Sequence, residues 1–159
     1  VALLVSGASA QEGAASGTGE SVNQTVLARV SVEDTPGHEL IQSTGLDRLT
    51  TPDPILGVSF EGAELRRHDQ SDVVRGSGVI RGYGVWQAAT GEKLFMVYGY
   101  KVPPFPESGE GVVPFDGTFE WIGGTGRLTD VRGAGALQGE ITRAGRAKYR
   151  WNGTYRVEP

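Results

Sequence analysis

Residues 115–135 read FDGTFEWIGGTGRLTDVRGAG, and the fold follows from how the glycines in the middle are interpreted. An extended run carrying Phe119 and Trp121 meets Gly123-Gly124-Thr125-Gly126, and a second extended run with Leu128 and Val131 leaves it. Adjacent glycines accept positive φ and mark a tight turn where a Cβ would clash. A phosphate-binding loop needs Walker spacing with Lys-Ser/Thr, or G-x-G-x-x-G opening a helix. Neither pattern is present, and β-branched residues and glycines follow instead of helix formers. The stretch therefore reads as a hairpin.

Working outward, residues 78–88 and 93–102 predict a second hairpin. With Ala89-Thr90-Gly91-Glu92 as a four-residue loop, Ala88 opposes Lys93 and Tyr83 opposes Tyr98. One face then carries Ile80, Trp86, Phe95 and Val97. The other carries Arg81, Tyr83, Val85, Met96, Tyr98 and Tyr100. Both faces are substantially apolar, which calls for cover on both sides, as in a closed barrel. Pro103-Pro104-Phe105-Pro106 ends the second strand.

Near the C-terminus, Asn152-Gly153 has the composition of a two-residue turn. Read as one long strand instead, Tyr149, Trp151, Tyr155 and Val157 form an unbroken apolar stripe. A three-residue loop at Arg143-Ala144-Gly145 then pairs Ile141 with Ala147 and Leu137 with Trp151. It also puts Gly145 where a left-handed residue is wanted. A one-residue slip would turn every side chain to the wrong face, so the long strand is preferred.

Upstream, Val26, Ala28, Val30 and Val32 alternate with Leu27, Arg29 and Ser31 as a half-buried strand before Pro36. Residues 46–54 are turn-rich, 55–67 read as one bent strand or a strand pair, and 68–72 (HDQSD) as a polar loop. No stretch carries a helical period, so the chain reads as all-β with antiparallel strands closing into a barrel.

Composition sets the limits. The 159 residues suit one domain with a sizeable core. The 25 glycines exceed the usual share of about 7%, mostly within alternating apolar runs. A net charge of −4 with both signs interspersed argues against nucleic acid as a partner. No cysteine is present, so disulfides and thiolate chemistry are excluded, and no apolar run is long enough for a membrane span. Residues 1–10 read as the remnant of a signal peptide, an apolar Val1–Val5 followed by Ala8-x-Ala10, with Gln11 beginning the mature chain. The expected location is periplasmic or extracellular. Residues 11–23 are small and polar and read as flexible linker, leaving 24–159 as the barrel domain.

Gly123-Gly124-Thr125-Gly126-Arg127-Leu128 with Asp130-Val131-Arg132-Gly133 resembles a hairpin of dirigent proteins and of the related allene oxide cyclase superfamily. The glycine-containing 78–100 hairpin suits the same barrel, and the likeness covers about residues 76–157. It implies an eight-stranded, calycin-type antiparallel barrel with an aromatic-lined pocket. Members of that superfamily guide phenol radical coupling or cyclise an unstable epoxide. The cyclase's catalytic residues have no match here, and the absence of cysteine departs from secreted plant dirigents and favours a bacterial exported relative.

The residues suited to chemistry lie on the 78–102 hairpin. Arg81, Tyr83, Tyr98 and Tyr100 share one face in the expected register, offering phenol hydroxyls and a cation beside apolar Val85 and Met96. Glu61 and Glu120 lie on expected strands, where an inward carboxylate would have a raised pKa and serve as a base. The bland alternatives are outward charges and a satisfied core network. His38 and His68, with Asp69 and Asp72 as neighbouring carboxylates, lack metal-ligand spacing, and no nucleophile elbow occurs, so neither metal nor cofactor is expected. The expected function is cofactor-free chemistry of cyclase, isomerase or lyase type on a small hydrophobic or aromatic molecule. A non-catalytic binding or stereochemistry-guiding barrel, and a barrel simply filled by side chains, stand beside it. Aromatic faces covered on both sides point to a homodimer or homotrimer.

Overall fold

The computed structural model describes residues 11–108 and 111–158. Eight strands follow in chain order: β1 (Glu12–Ser31), β2 (His38–Leu49), β3 (Glu64–Val74), β4 (Ser77–Gln87), β5 (Lys93–Val102), β6 (Val112–Gly124), β7 (Val131–Thr142) and β8 (Ala147–Val157). Each pairs antiparallel with the next, and β1 pairs back onto β8 from Glu12↔Arg156 to Glu20↔Lys148, so one sheet closes on itself as a barrel. Closure pairs every strand on both sides, except that β1 beyond Glu20 pairs only with β2. Among the described residues no helix is long and apolar enough to cross a membrane.

The signal-peptide expectation for residues 1–10 lies outside the described residues. The linker expectation for 11–23 is corrected: most of that stretch is the first half of β1. Its small residues are complementary to the bulky stripe of β8. Tyr155 lies opposite Gly13, Trp151 opposite Gly17 and Tyr149 opposite Gly19. A Cβ at Gly17 or Gly19 would stand 2.7 Å from the facing ring. A segment too poor in apolar groups to order itself is ordered because a distant strand supplies the rings.

The β7–β8 hairpin follows the expected register, with Ile141↔Ala147 and Leu137↔Trp151. Gly145 sits at φ +80 and donates its N–H to Thr142, as a three-residue loop with a left-handed third residue requires. The glycine stretch also builds a hairpin. β6 ends at Gly124, a short 3-10 turn spans Gly126–Leu128, and Leu128 is driven fully inside as a plug.

The β4–β5 hairpin differs from expectation by one residue. Gln87, not Ala88, opposes Lys93, and Gly82, not Tyr83, opposes Tyr98. The loop is the three residues Ala89-Thr90-Gly91: Ala88 donates to Glu92, Gly91 donates to Ala88, and Gly91 takes φ +89. The left-handed glycine closes a type I turn one residue earlier than a four-residue loop would. That slip moves the β4 side chains relative to β5, so Ile80 and Trp86 share the interior with Met96, Tyr98 and Val102.

Two further readings change. The polar run 68–72 is the middle of β3, and the valine-rich 25–32 segment is exposed on both faces. The latter projects past the start of β8 and pairs only with β2. Residues 55–67 divide into a loop that folds Ile55, Val58 and Phe60 under one end of the barrel, and the start of β3.

The two ends of the interior differ. One is closed by Ile55, Val58, Phe60, Leu94 and Leu128 over Trp86, Trp121, Trp151 and Phe119. These rings meet edge-on, with Trp86–Trp121 at 6.0 Å and 79° and Trp121–Trp151 at 5.9 Å and 86°. Among the described residues the three indole N–H groups have no hydrogen-bond partner. Burial of each such side chain contributes about 1.5–3 kcal/mol, and offset and edge contacts add to it. The opposite end is open and polar.

Candidate functional site

A cavity of about 220 Å³ occupies the open half of the barrel, above the floor made by Trp86, Trp151 and Phe119. Its mouth is formed by the β3–β4 turn at Gly76, by Phe105 and by the β7–β8 loop at Arg143–Gly145. On the β2–β3 wall stands a buried charged group. Arg67, only 8% exposed, donates from Nε to Asp47 Oδ1 at 2.9 Å and from Nη1 to Asp69 Oδ2 at 2.6 Å. Each carboxylate also accepts from a tyrosine: Tyr149 Oη to Asp47 Oδ2 at 2.9 Å, and Tyr98 Oη to Asp69 Oδ1. Beside them Gln24 Nε2 donates to the buried Ser43 Oγ at 3.1 Å.

The local reason for this arrangement is a set of glycines across which the long side chains lie. In one register row Asp69 of β3 faces Gly82 of β4, which faces Tyr98 of β5. A Cβ on Gly82 would collide with the Tyr98 phenol, so its absence lets the ring cross β4 to reach Asp69. Tyr149 of β8 likewise crosses Gly19 of β1 to reach Asp47 of β2. Arg67 itself lies over Gly45, whose Cβ would meet Nη2. Three glycines on three strands thus make room for one network.

Burial works against the charge on Arg67, but Asp47 and Asp69 together outweigh it and hold the guanidinium above its ordinary pKa. Burial pushes the Asp69 carboxyl up, while Arg67 and the Tyr98 hydroxyl hold it back. The Tyr98 phenol is raised by burial and then by Asp69, and Tyr149 by burial and then by Asp47. Tyr100 is raised by burial and then by the Asp69 charge, and its ring packs between Tyr98 at 6.4 Å and Phe115 at 4.7 Å. The phenols are therefore hydrogen-bond donors at neutral pH. Burial disfavours the charge on Asp69, so that carboxyl takes up a proton more readily than an ordinary aspartate.

The structure brings together part of the site expected from sequence. Tyr98, Tyr100 and Met96 line the cavity. Arg81 and Tyr83 do not: the one-residue slip turns them outward, Arg81 into solvent opposite Gly99 and Tyr83, 38% exposed, onto Phe95 at 6.4 Å. Val85 is half-buried on that outer face opposite Phe95. Glu61 is exposed in the loop after β2, and Glu120 is exposed on β6 opposite Val97. Each keeps water for a charge that gains no partner inside, which is the ordinary fate of a strand carboxylate.

Sequence alone does not single out Arg67, Asp47 or Tyr149 as site residues, and it marks Asp69 only as a carboxylate near His68. Their signal is faint. β3 places Leu65, Arg67, Asp69, Ser71 and Val73 inward and Glu64, Arg66, His68, Gln70 and Asp72 toward solvent, so the strand is polar on both faces. The period-2 pattern vanishes where the interior is itself polar. His68 is exposed outside the barrel. His38 is held by Asp34 at 2.5 Å and Asp72 at 2.7 Å, and none of the three lines the cavity. Among the described residues no three His, Asp or Glu side chains are grouped to hold a metal ion.

An enclosed space with apolar walls and a few convergent polar groups is the usual form of a small-molecule site. Arg67 fixes two carboxylates, and the carboxylates fix two phenols. Such a group can orient a polar atom of a ligand and exchange a proton with it through Asp69. Comparison of the chain with protein-family models and with curated proteins finds no match.

Proposed function

We propose that the protein acts in this cavity on a small hydrophobic or aromatic molecule, by cofactor-free cyclisation, isomerisation or elimination of the kind known in the allene oxide cyclase and dirigent-like barrels. The observation that carries the reading is the Asp47–Arg67–Asp69 group with Tyr98 and Tyr149, set on the wall of a cavity otherwise lined by aromatic and aliphatic side chains. In this reading Asp69 is the proton carrier, Arg67 and the tyrosines orient it, and Trp86, Phe119 and Met96 supply shape. The test is turnover of candidate substrates by wild type and Asp69→Asn. A loss of at least about 100-fold is expected for a general acid or base. Wild-type rates in the variant would end Asp69's proposed role.

A second reading, a binding or stereochemistry-guiding barrel without catalysis, is favoured by the closure of the same network. Both oxygens of each aspartate already accept a hydrogen bond. A ligand recovered unchanged from the purified protein, with no turnover by wild type, would select it.

The calycin-type assignment and a homodimeric or homotrimeric state belong to this proposal, as does export. Cleavage after Ala10 would leave β1 whole, because strand pairing begins at Glu12 and Gln11 accepts a hydrogen bond from Val157. N-terminal sequencing of the protein from its host tests this: a chain beginning well inside β1 would overturn it.

A further inference from the structure

Two donors on the cavity wall remain without an acceptor. Arg67 uses Nε and Nη1 for the aspartates, and Nη2 donates to no described residue. The Tyr100 hydroxyl likewise has no partner among the described residues, though its ring is packed on both sides. Both residues line the same cavity, on β3 and β5, and the Arg67 and Asp69 charges both act on the Tyr100 hydroxyl. Neither atom is sealed off from the cavity space, so both can donate to an acceptor from outside the chain.

Charge decides what kind of acceptor. Arg67 is one cation facing two carboxyl groups, each about as buried as a core residue. A third acidic group beside them would lack a countercharge, since Arg29 is taken by Glu39 and Arg143 lies in the mouth loop, bonded to the Pro106 carbonyl. A neutral oxygen meets no such opposition. Around this group Ile80, Met96, Phe115, Leu137 and Ile141 offer apolar surface, while Ser21, Gln24, Ser71, Thr142, Arg29 and Arg143 supply the polar part of the lining. A volume of about 220 Å³ lies below the roughly 300–1,000 Å³ of sites for drug-sized molecules, so the body of the ligand is small.

We infer that the cavity receives a small, uncharged carbonyl compound whose oxygen accepts hydrogen bonds from Arg67 Nη2 and the Tyr100 hydroxyl, and that it discriminates against carboxylates of the same size. The inference rests on the proposed reading of the cavity as a ligand site and adds the chemical class of the ligand. The Arg67 guanidinium thereby acts on the ligand as well as on the aspartates. A carbonyl held by a cation and a phenol is polarised, and a carbon acid next to it is easier to deprotonate.

The experiment is binding of three matched bicyclic probes to the whole protein, followed by tryptophan fluorescence, since Trp86 and Trp151 floor the cavity. α-Tetralone carries the ketone, tetralin lacks it, and tetralin-1-carboxylate replaces it with a charge. The expected order is tetralone at least about tenfold tighter than tetralin, as one or two hydrogen bonds to donors on the cavity wall would give. The carboxylate is expected to bind weakest. The carbonyl stretch of bound tetralone should shift to lower frequency. Tyr100→Phe should remove most of the ketone preference while leaving tetralin affinity within about twofold, and Arg67→Met should do the same if it folds. Equal binding of tetralone and tetralin, or a preference for the carboxylate, overturns the carbonyl assignment and leaves the ligand site standing. Failure of all three probes to bind overturns both.

Discussion

The closed end and the open end of the barrel are built from the same strands, yet they are stabilised by opposite means. At the closed end three tryptophans, Phe60, Phe119 and Leu128 exclude water and leave indole N–H groups without acceptors. At the open end nearly every buried polar atom of the Arg67 network is paired, and a cavity remains. Packing tolerates a few unpaired donors against π-faces. A buried ion group tolerates very little, because each lost partner leaves a charge in a poor solvent. The closed end is packed solid, and the open end keeps a cavity beside the ion group.

Substitutions should separate the two. Trp121→Ala, away from the cavity, should cost the most, about 3–5 kcal/mol in urea unfolding, through lost burial and the hole left behind. Arg67→Met should cost about 3 kcal/mol at neutral pH, because Asp47 and Asp69 are left as buried carboxylates facing each other. Unlike the tryptophan loss, this deficit should shrink on acidification as the Asp69 carboxyl, pushed up by burial, protonates. A deficit unchanged between neutral and acid conditions would place the Arg67 contribution in packing.

Tyr98→Phe and Tyr149→Phe should each cost about 1 kcal/mol, the hydroxyl alone being removed. Their double variant should depart from additivity, since both phenols act on one ion group. Strict additivity would divide the network into two independent arms.

The smallest effects belong to exposed pairs at the two ends. Arg127 donates to Glu92 from its side chain and backbone, fixing the glycine turn and holding the Glu92 carboxyl down to about 2. That contribution is full above the ordinary value of 4.5 and is lost as pH falls through about 2. His38, bonded to Asp72 and Asp34 through both ring nitrogens, is raised above its ordinary 6.5. Its contribution is full below 6.5 and is lost as pH rises through the raised value. Melting curves of Glu92→Gln and His38→Gln against wild type should therefore converge at opposite ends of the pH range. A His38→Gln difference that grew with pH would contradict the imidazolium clasp.

Residue patterns were informative wherever one face of a strand is apolar. The β7–β8 register could be read from Leu137, Ile141, Trp151 and Gly145 because only one alignment kept the large side chains together. The glycine turn could be read because 123–126 fit no phosphate-loop spacing. The β4–β5 pairing could not, since both faces of that hairpin carry apolar groups and a slip leaves either alignment plausible; Gly91 decides it. Tyr98 and Tyr100 were legible as pocket residues because they lie on the strand that kept its expected face. Arg81 and Tyr83 lay on the strand that slipped.

By itself the sequence determined an all-β chain, most of its turns and the stripe of rings on β8. Those depend on φ, on local spacing and on side-chain size, which neighbouring residues settle. Tertiary structure alone decided that residues 12–20 are a strand and that Arg67 and Asp69 point inward. Gly17 becomes ordered only under Trp151, and a buried guanidinium is tolerable only between Asp47 and Asp69. In both cases the partner comes from another strand, so the energy that fixes the residue exists only once the sheet has closed.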